Sequence, residues 1–409
     1  MRDGPADRVA SLDLIRGVAV LGILAINIAG FAGPPGAVLN PHLPQPGTGG
    51  DEIAFSIKFL FFEGKMRALF SMLFGAGLML YIDRTDAAGG FGAGRQLRRL
   101  GWLALFGLAH FYLLWWGDIL FLYAVAGVIV LFMHELPDRT LALIGGGVFV
   151  LWHAIGAALD HDAVATEQLV YNGFATALQR EWYAGARQAM ADYADIESAI
   201  AARDFVGIVA HRIESDTLRP LEIAFTALGE TVPLMLFGLV LHRRGLFAAE
   251  WPARHLWRIA LACLAAGLAL TALLLAWAIR HRFPPLAMQA IFINWGAIPH
   301  LLMGFGYLAA LTALAPRLAP TWLGRKLIAA GRMAFSNYIL TSLVMTALFY
   351  GWGLGLFGRH GHAGQWAFVA LGWVLMLLWS APWLAHFRRG PLEWAWRSLI
   401  EGHFLHNRR

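Results

Sequence analysis

The stretch LGWLALFGLAHFYLLWWGDILFLYAVAGVIVLFM fills residues 100–133, and His110 and Asp118 are its only ionisable groups apart from tyrosine. As one α-helix these 34 residues would run about 51 Å at 1.5 Å per residue, well beyond a hydrocarbon layer of roughly 30 Å. The run must fold back on itself, and Gly117-Asp118 is its natural break. It therefore reads as a hairpin of two apolar helices, with His110 inside the first arm and Asp118 at the turn. Such a hairpin needs lipid around it.

The rest of the chain agrees. Of 409 residues, 58% are hydrophobic and only 14% charged, too few charges to cover a soluble protein. The apolar runs have helical length and do not alternate as barrel strands do. The expectation is an all-α integral membrane protein with ten transmembrane helices: residues 12–33, 64–83, 99–116, 119–134, 140–159, 221–242, 256–280, 293–315, 332–351 and 365–386. The first run carries Asp13 and Arg16 and ends without a clean small-x-small site, so it reads as an uncleaved span rather than a signal peptide. The single cysteine, Cys263, rules out an intrachain disulfide.

Orientation follows from basic residues, which favour the cytoplasmic side of short loops. With ten spans and both termini cytoplasmic, 21 of the 32 Lys and Arg residues fall inside, Arg2 and Arg8 at one end of the chain and Arg408 and Arg409 at the other. The Asp118 turn then faces outward. Residues 160–220 form a polar insert with ten acidic and five basic residues and helical composition, expected outside the membrane as a cap. This divides the chain into an N-terminal five-helix half (1–159), the insert (160–220) and a C-terminal five-helix half (221–409). No P-loop, GxGxxG, HExxH or nucleic-acid motif occurs.

Ionisable groups inside spans are costly and mark candidate sites. Asp13 and Arg16 are three apart, on one helix face, and can pair. Asn27 stands over Arg16 on the same stripe, eleven residues on and about 16 Å higher. Arg16 suits an anionic group at the inner mouth, Asn27 a pathway above it; the bland alternative is a helix-start anchor and one interhelical hydrogen bond. Glu63 and Arg67 have i, i+4 spacing and can pair at the outer end of the second span, which leaves Lys65 over. Basic residues there suggest a waiting anion, or lipid headgroup snorkelling. His110 suits a general base oriented by Asp118; the alternative is a buried His bonded to a carbonyl and an Asp that caps the next helix. Glu230 and Pro233 interrupt the sixth span. Asn294, Pro299 and His300 lie in the eighth, and Ser336, Asn337, Tyr338 and Thr341 in the ninth, where Asn337 is the most informative. Polar groups in several spans point to a shared polar interior.

The segments RVASLDLIRGVAVLGILAINI, FEGKMRALFSMLFGAG, GLAHFYLLWWGDILFLYAVAG, GRMAFSNYILTSLV and RRGPLEWAWRSL resemble, in order along nearly the whole chain, the YeiB family of bacterial membrane proteins. That family is grouped with transmembrane acyltransferases, and the likeness is plainest in Asp13, Arg16, Gly17 and the later Asn27. Heparan-type members of the grouping place a catalytic His just beyond that Asn; the residue here is His42. The resemblance implies acyl transfer from a cytoplasmic acyl thioester, acyl-CoA, to a lipid or glycan acceptor, without a metal. Arg16 would bind donor phosphate and His110 or His42 would take the acceptor proton. Asn27 and Asn337 would donate to the oxyanion, with Asp13, Glu63, Lys65, Arg67 and Glu230 in the binding surface. The partners expected are the bilayer and the acceptor, with no nucleic acid; a homodimer stays open. The alternative is a transporter, flippase or lipid-binding permease built around broken sixth and eighth helices.

Overall fold

The computed structural model describes residues 5–248 and 250–409; Arg2 lies outside the described residues, as do the side chains of residues 5–9, Arg8 among them. Among the described residues there is no strand. The longer helices are α1 (Pro5–Ala32), α2 (Gly49–Phe61), α3 (Lys65–Ala87), α4 (Gly92–Leu113), α5 (Leu120–Met133), α6 (Asp138–Tyr171), α7 (Ala177–Ala201), α8 (Phe205–Ser215), α9 (Arg219–Arg243), α10 (Ala253–Arg280), α11 (Ala297–Leu318), α12 (Trp322–Arg332), α13 (Ala334–Phe349), α14 (His362–His386) and α15 (Pro391–Glu401).

A helix coincides with each of the ten expected spans. Seven segments among the described residues are long and apolar enough to cross a membrane, and α12 with α13, bent by 83°, makes an eighth. The shortfall from ten lies in the α4–α5 hairpin. The apolar part of α4 above Arg99 and the whole of α5 are each 14 residues, about 21 Å, shorter than a bilayer core. The turn therefore lies within the depth of the bundle rather than at its outer surface.

Three further expectations change. The second span does not start at Glu63: α2 precedes it, and α2 with α3 forms one 39-residue apolar segment, Gly49–Ala87. Glu63 and Lys65 thus lie at an internal break, where Gly64 takes φ +71°. Pro233 does not interrupt the sixth span, because α9 runs unbroken from Arg219 to Arg243. The insert's own helices start at Ala177, since α6 continues through residue 160 to Tyr171. The eighth span is irregular where expected, with a π-helical turn at Ile291–Trp295 ahead of α11.

α1 lies against α12, α13 and α14, and α9 packs among α3, α5 and α6, around one continuous apolar core. The helix starts at α1 and the terminal helix α15 share one end of the bundle, where the Trp396 indole donates to the Arg99 carbonyl at 3.0 Å. The insert closes the other end. The Gly351 N–H donates to the Ala201 carbonyl at 2.7 Å, and Arg212 donates to the Phe111 carbonyl at the C-terminus of α4 at 3.2 Å, where a cation suits the helix dipole.

Candidate functional site

The hairpin turn brings its two ionisable groups together. His110 Nδ1 lies 2.9 Å from Asp118 Oδ1, and the other carboxylate oxygen accepts from the Phe121 N–H, in the first turn of α5, at 2.8 Å. His110 Nε2 lies 2.8 Å from Ser342 Oγ on α13. Carboxylate, imidazole and hydroxyl thus form a continuous relay, whose Ser342 hydroxyl also lies 3.3 Å from the Tyr338 carbonyl. The side chains of His110 and Asp118 are 0% and 3% exposed. Lipid exposure would have left both unpaired in hydrocarbon, so each is paired within the bundle. Tyr338 completes the cluster: its hydroxyl donates to the Gly117 carbonyl and accepts from the Ile119 N–H, both at 3.3 Å, and its ring lies 5.0 Å from that of His110. Gly107, three residues before His110 on the same face, permits the close hairpin: a Cβ there would meet the Phe121 nitrogen at 2.3 Å.

The turn also separates two chambers. At the terminal end a cavity of about 520 Å³ is lined by Asp13, Glu393 and seven arginines: Arg16, Arg84, Arg99, Arg332, Arg388, Arg389 and Arg397. Its inner wall includes Ile119, Leu120 and Tyr338. The expected Asp13–Arg16 pair forms at 3.2 Å. Burial pushes the Glu393 carboxyl up, while the Ser336 hydroxyl and N–H donate to it at 2.5 and 3.0 Å. Among the described residues, most of the arginine charge in this chamber has no carboxylate to answer it. At the insert end a cavity of about 1460 Å³ is bounded by the loop after α1, by α7, and by Trp116, Glu63 and Arg67. Trp116 and Ile119, three residues apart, line opposite chambers, so residues 117–118 are the partition.

The remaining candidates divide. Asn27 lines a cavity of about 10 Å³ beside Ser342 and Thr341, room for at most one water. Asn337 does not offer a free amide: it donates to the Ala330 carbonyl and to Ser380 Oγ at 3.0 and 3.1 Å and accepts from Trp379 at 2.7 Å. It ties the bent α12–α13 pair to α14. The Glu63–Arg67 pair is absent because the break at Gly64 takes the two residues off one helix face. Arg67 instead pairs through Nη2 and Nε with Glu230 at 3.1 and 3.2 Å, and Glu63 Oε2 is buried without a partner. Lys65 donates to the Phe59 carbonyl at 2.6 Å. His42 sits on the rim of the wide chamber, 3.2 Å from Glu52, and is no part of the relay. Among the described residues no three His, Cys, Asp or Glu side chains converge as metal ligands.

Ser342 was missed by the reading of the sequence, which singled out its neighbour Asn337. The signal was the spacing of Tyr338, Ser342 and Thr346, a polar stripe on one face of α13.

Comparison with known proteins finds relatives of similar length. Residues 241–403 match the family model described as Protein of unknown function (DUF418). The chain is 29% identical over 398 residues to Uncharacterized protein YeiB of Escherichia coli (strain K12), covering 96% of each. It is 27% identical over 412 residues to Uncharacterized protein YxaH of Bacillus subtilis (strain 168), covering 96% of this chain and 94% of that one. No solved structure matches the chain.

Proposed function

From the premise that this chain belongs to the YeiB family of DUF418 membrane proteins, we propose that it is a membrane-embedded acyltransferase. An acyl thioester, acyl-CoA, enters the arginine chamber from the cytoplasmic side of the bacterial inner membrane, and the acceptor hydroxyl or amine arrives through the wide chamber. The observation that carries this reading is the Ser342–His110–Asp118 relay, held in the partition between one chamber rich in unanswered positive charge and another that is wide and largely apolar.

In the proposed reaction the donor phosphates rest on Arg16 and its neighbouring arginines, with charge-assisted hydrogen bonds to each oxygen. The thioester lies against Tyr338 and Ile119, the last layer before His110, which must part for transfer. The acceptor proton reaches His110 through the Ser342 hydroxyl, 2.8 Å from Nε2, and Asp118 stabilises the imidazolium. The acceptor oxygen or nitrogen bonds to the acyl carbon, the carbon–sulfur bond breaks, and the proton passes to the leaving thiolate. Asn337, with both amide protons engaged, supports α13.

Two opposed chambers with a closed partition also suit a transporter or flippase that opens to one side at a time. Calorimetry separates the two. Acyl transfer predicts that CoA binds the folded protein and that Arg16→Ala weakens binding about tenfold, ~1.4 kcal/mol. A well-folded wild type that does not bind CoA favours the transporter.

A further inference from the structure

The wide chamber carries more information than its size. Glu63 is 4% exposed, lines this chamber, and has one carboxylate oxygen buried with no hydrogen-bond partner. Such an orphan acceptor is costly unless something donates to it. Lys58, Lys65 and Arg67 all lie within electrostatic reach of Glu63, and Glu230 pairs with Arg67. Arg67 uses two of its five N–H groups on Glu230, and Arg187 of α7 lines the same chamber.

The chamber wall above this layer is apolar and opens toward lipid. Ile223 and Ile293 line it. Ile293 is also 51% exposed at the outer surface, while Leu221 and Phe225, 54% and 70% exposed, lie on the face of α9 opposite Ile223. Exposed large apolar side chains on a spanning helix face hydrocarbon, so the rim is continuous with the bilayer-facing surface of the protein.

We infer that the wide chamber binds a membrane lipid of glycerophospholipid type. Its phosphate sits at Arg67, its hydroxyl or primary ammonium headgroup donates to Glu63, and its chains lie along the Ile223–Ile293 opening. The inference rests on the acyl-transfer reading in one respect: it makes this lipid the acceptor, whose headgroup must leave Glu63 and give a proton to the His110 relay before it reacts. A soluble glycan would have no use for the apolar rim, and a quaternary ammonium headgroup would have no proton to give Glu63.

The test uses the full-length protein in detergent and native mass spectrometry with short-chain dihexanoyl lipids. Phosphatidylethanolamine and phosphatidylglycerol carry N–H or O–H donors; phosphatidylcholine does not. The first two should be retained about tenfold better than the third, the scale of one hydrogen bond to a charged group. Glu63→Ala should erase that preference. Ala194→Trp, which fills the chamber from the insert side without entering the bundle core, should reduce retention of all three. CoA binding, read by calorimetry on the same preparations, should be unchanged in both variants. Equal retention of the three lipids, survival of the preference in Glu63→Ala, or equal binding of chain-free glycerophosphoethanolamine would overturn the lipid site. If those results come with intact CoA binding, acyl transfer stands and the lipid acceptor falls. Lipid preference without any CoA binding leaves the lipid site standing and removes the acyl-transfer reading.

Discussion

The two chambers are built from different materials, and each suits a different kind of partner. The terminal chamber is framed by bundle helices and the terminal helix α15, and seven arginines outnumber its two carboxylates. Its walls are fixed by interlocked contacts: the Arg99 guanidinium lies 4.5 Å from the Trp396 ring, and Ser336 is held by Glu393. The insert-end chamber is nearly three times as large, about 1460 against 520 Å³, and takes one wall from α7. There burial pushes the Tyr193 phenol up to about 12, but most of the lining is apolar. A rigid cationic pocket suits a polyanionic, soluble donor. A larger amphipathic one, closed by an insert, suits an acceptor of varied shape that arrives from lipid.

The partition is where this contrast breaks most easily. His110→Ala should lower turnover by roughly 10²–10⁴, the range for loss of a general base, while CoA affinity in the separate terminal chamber stays within twofold. Release of the CoA thiol measures the first and calorimetry the second. Asp118→Asn should lose less, because an amide still orients the imidazole but does not stabilise its cation. Equal CoA weakening in His110→Ala would mean that the chambers are not independent.

Gly107→Ala probes the partition's packing. The new methyl would sit 2.3 Å from the Phe121 nitrogen, so the hairpin must shift, at about 1–3 kcal/mol of stability. Thermal unfolding should register a fall of several degrees, together with reduced turnover; an unchanged melting point would show that the hairpin is looser than its geometry implies. The last and smallest perturbation asks only which chamber faces which side. Cysteines replacing Asp192 on α7 and Arg244 after α9 should label from opposite faces, Asp192 from outside, with little effect on stability because both positions are exposed. Labelling from one face would remove the donor–acceptor polarity altogether.

Much of this was legible in the sequence for a simple reason: bilayer thickness converts apolar run length into helix number, and the 34-residue run had to fold back. That argument placed His110 and Asp118 together. It failed on depth, because it treated each arm of the hairpin as a full crossing when each has only 14 apolar residues. It failed at Glu63 and Arg67 because i, i+4 spacing presumes an unbroken helix, and Gly64 breaks it. Arg67 found Glu230 and His110 found Ser342, 163 and 232 residues away in the chain, and no local pattern encodes such partners. Asn337 was chosen for its polarity, yet buried amides are as often ties between helices as parts of a site. The seven-arginine chamber was visible only as scattered basic residues near span ends until the bundle gathered them.

The account turns on the claim that a donor at one end reaches an acceptor at the other through His110. Full-length protein is reconstituted in one orientation into vesicles of phosphatidylethanolamine and phosphatidylglycerol, and acetyl-labelled acetyl-CoA is supplied from the face bearing the termini. The account predicts that label appears on vesicle lipid with wild type and not with His110→Ala. Folded, CoA-binding wild type that transfers no label, or equal transfer by His110→Ala, would contradict it.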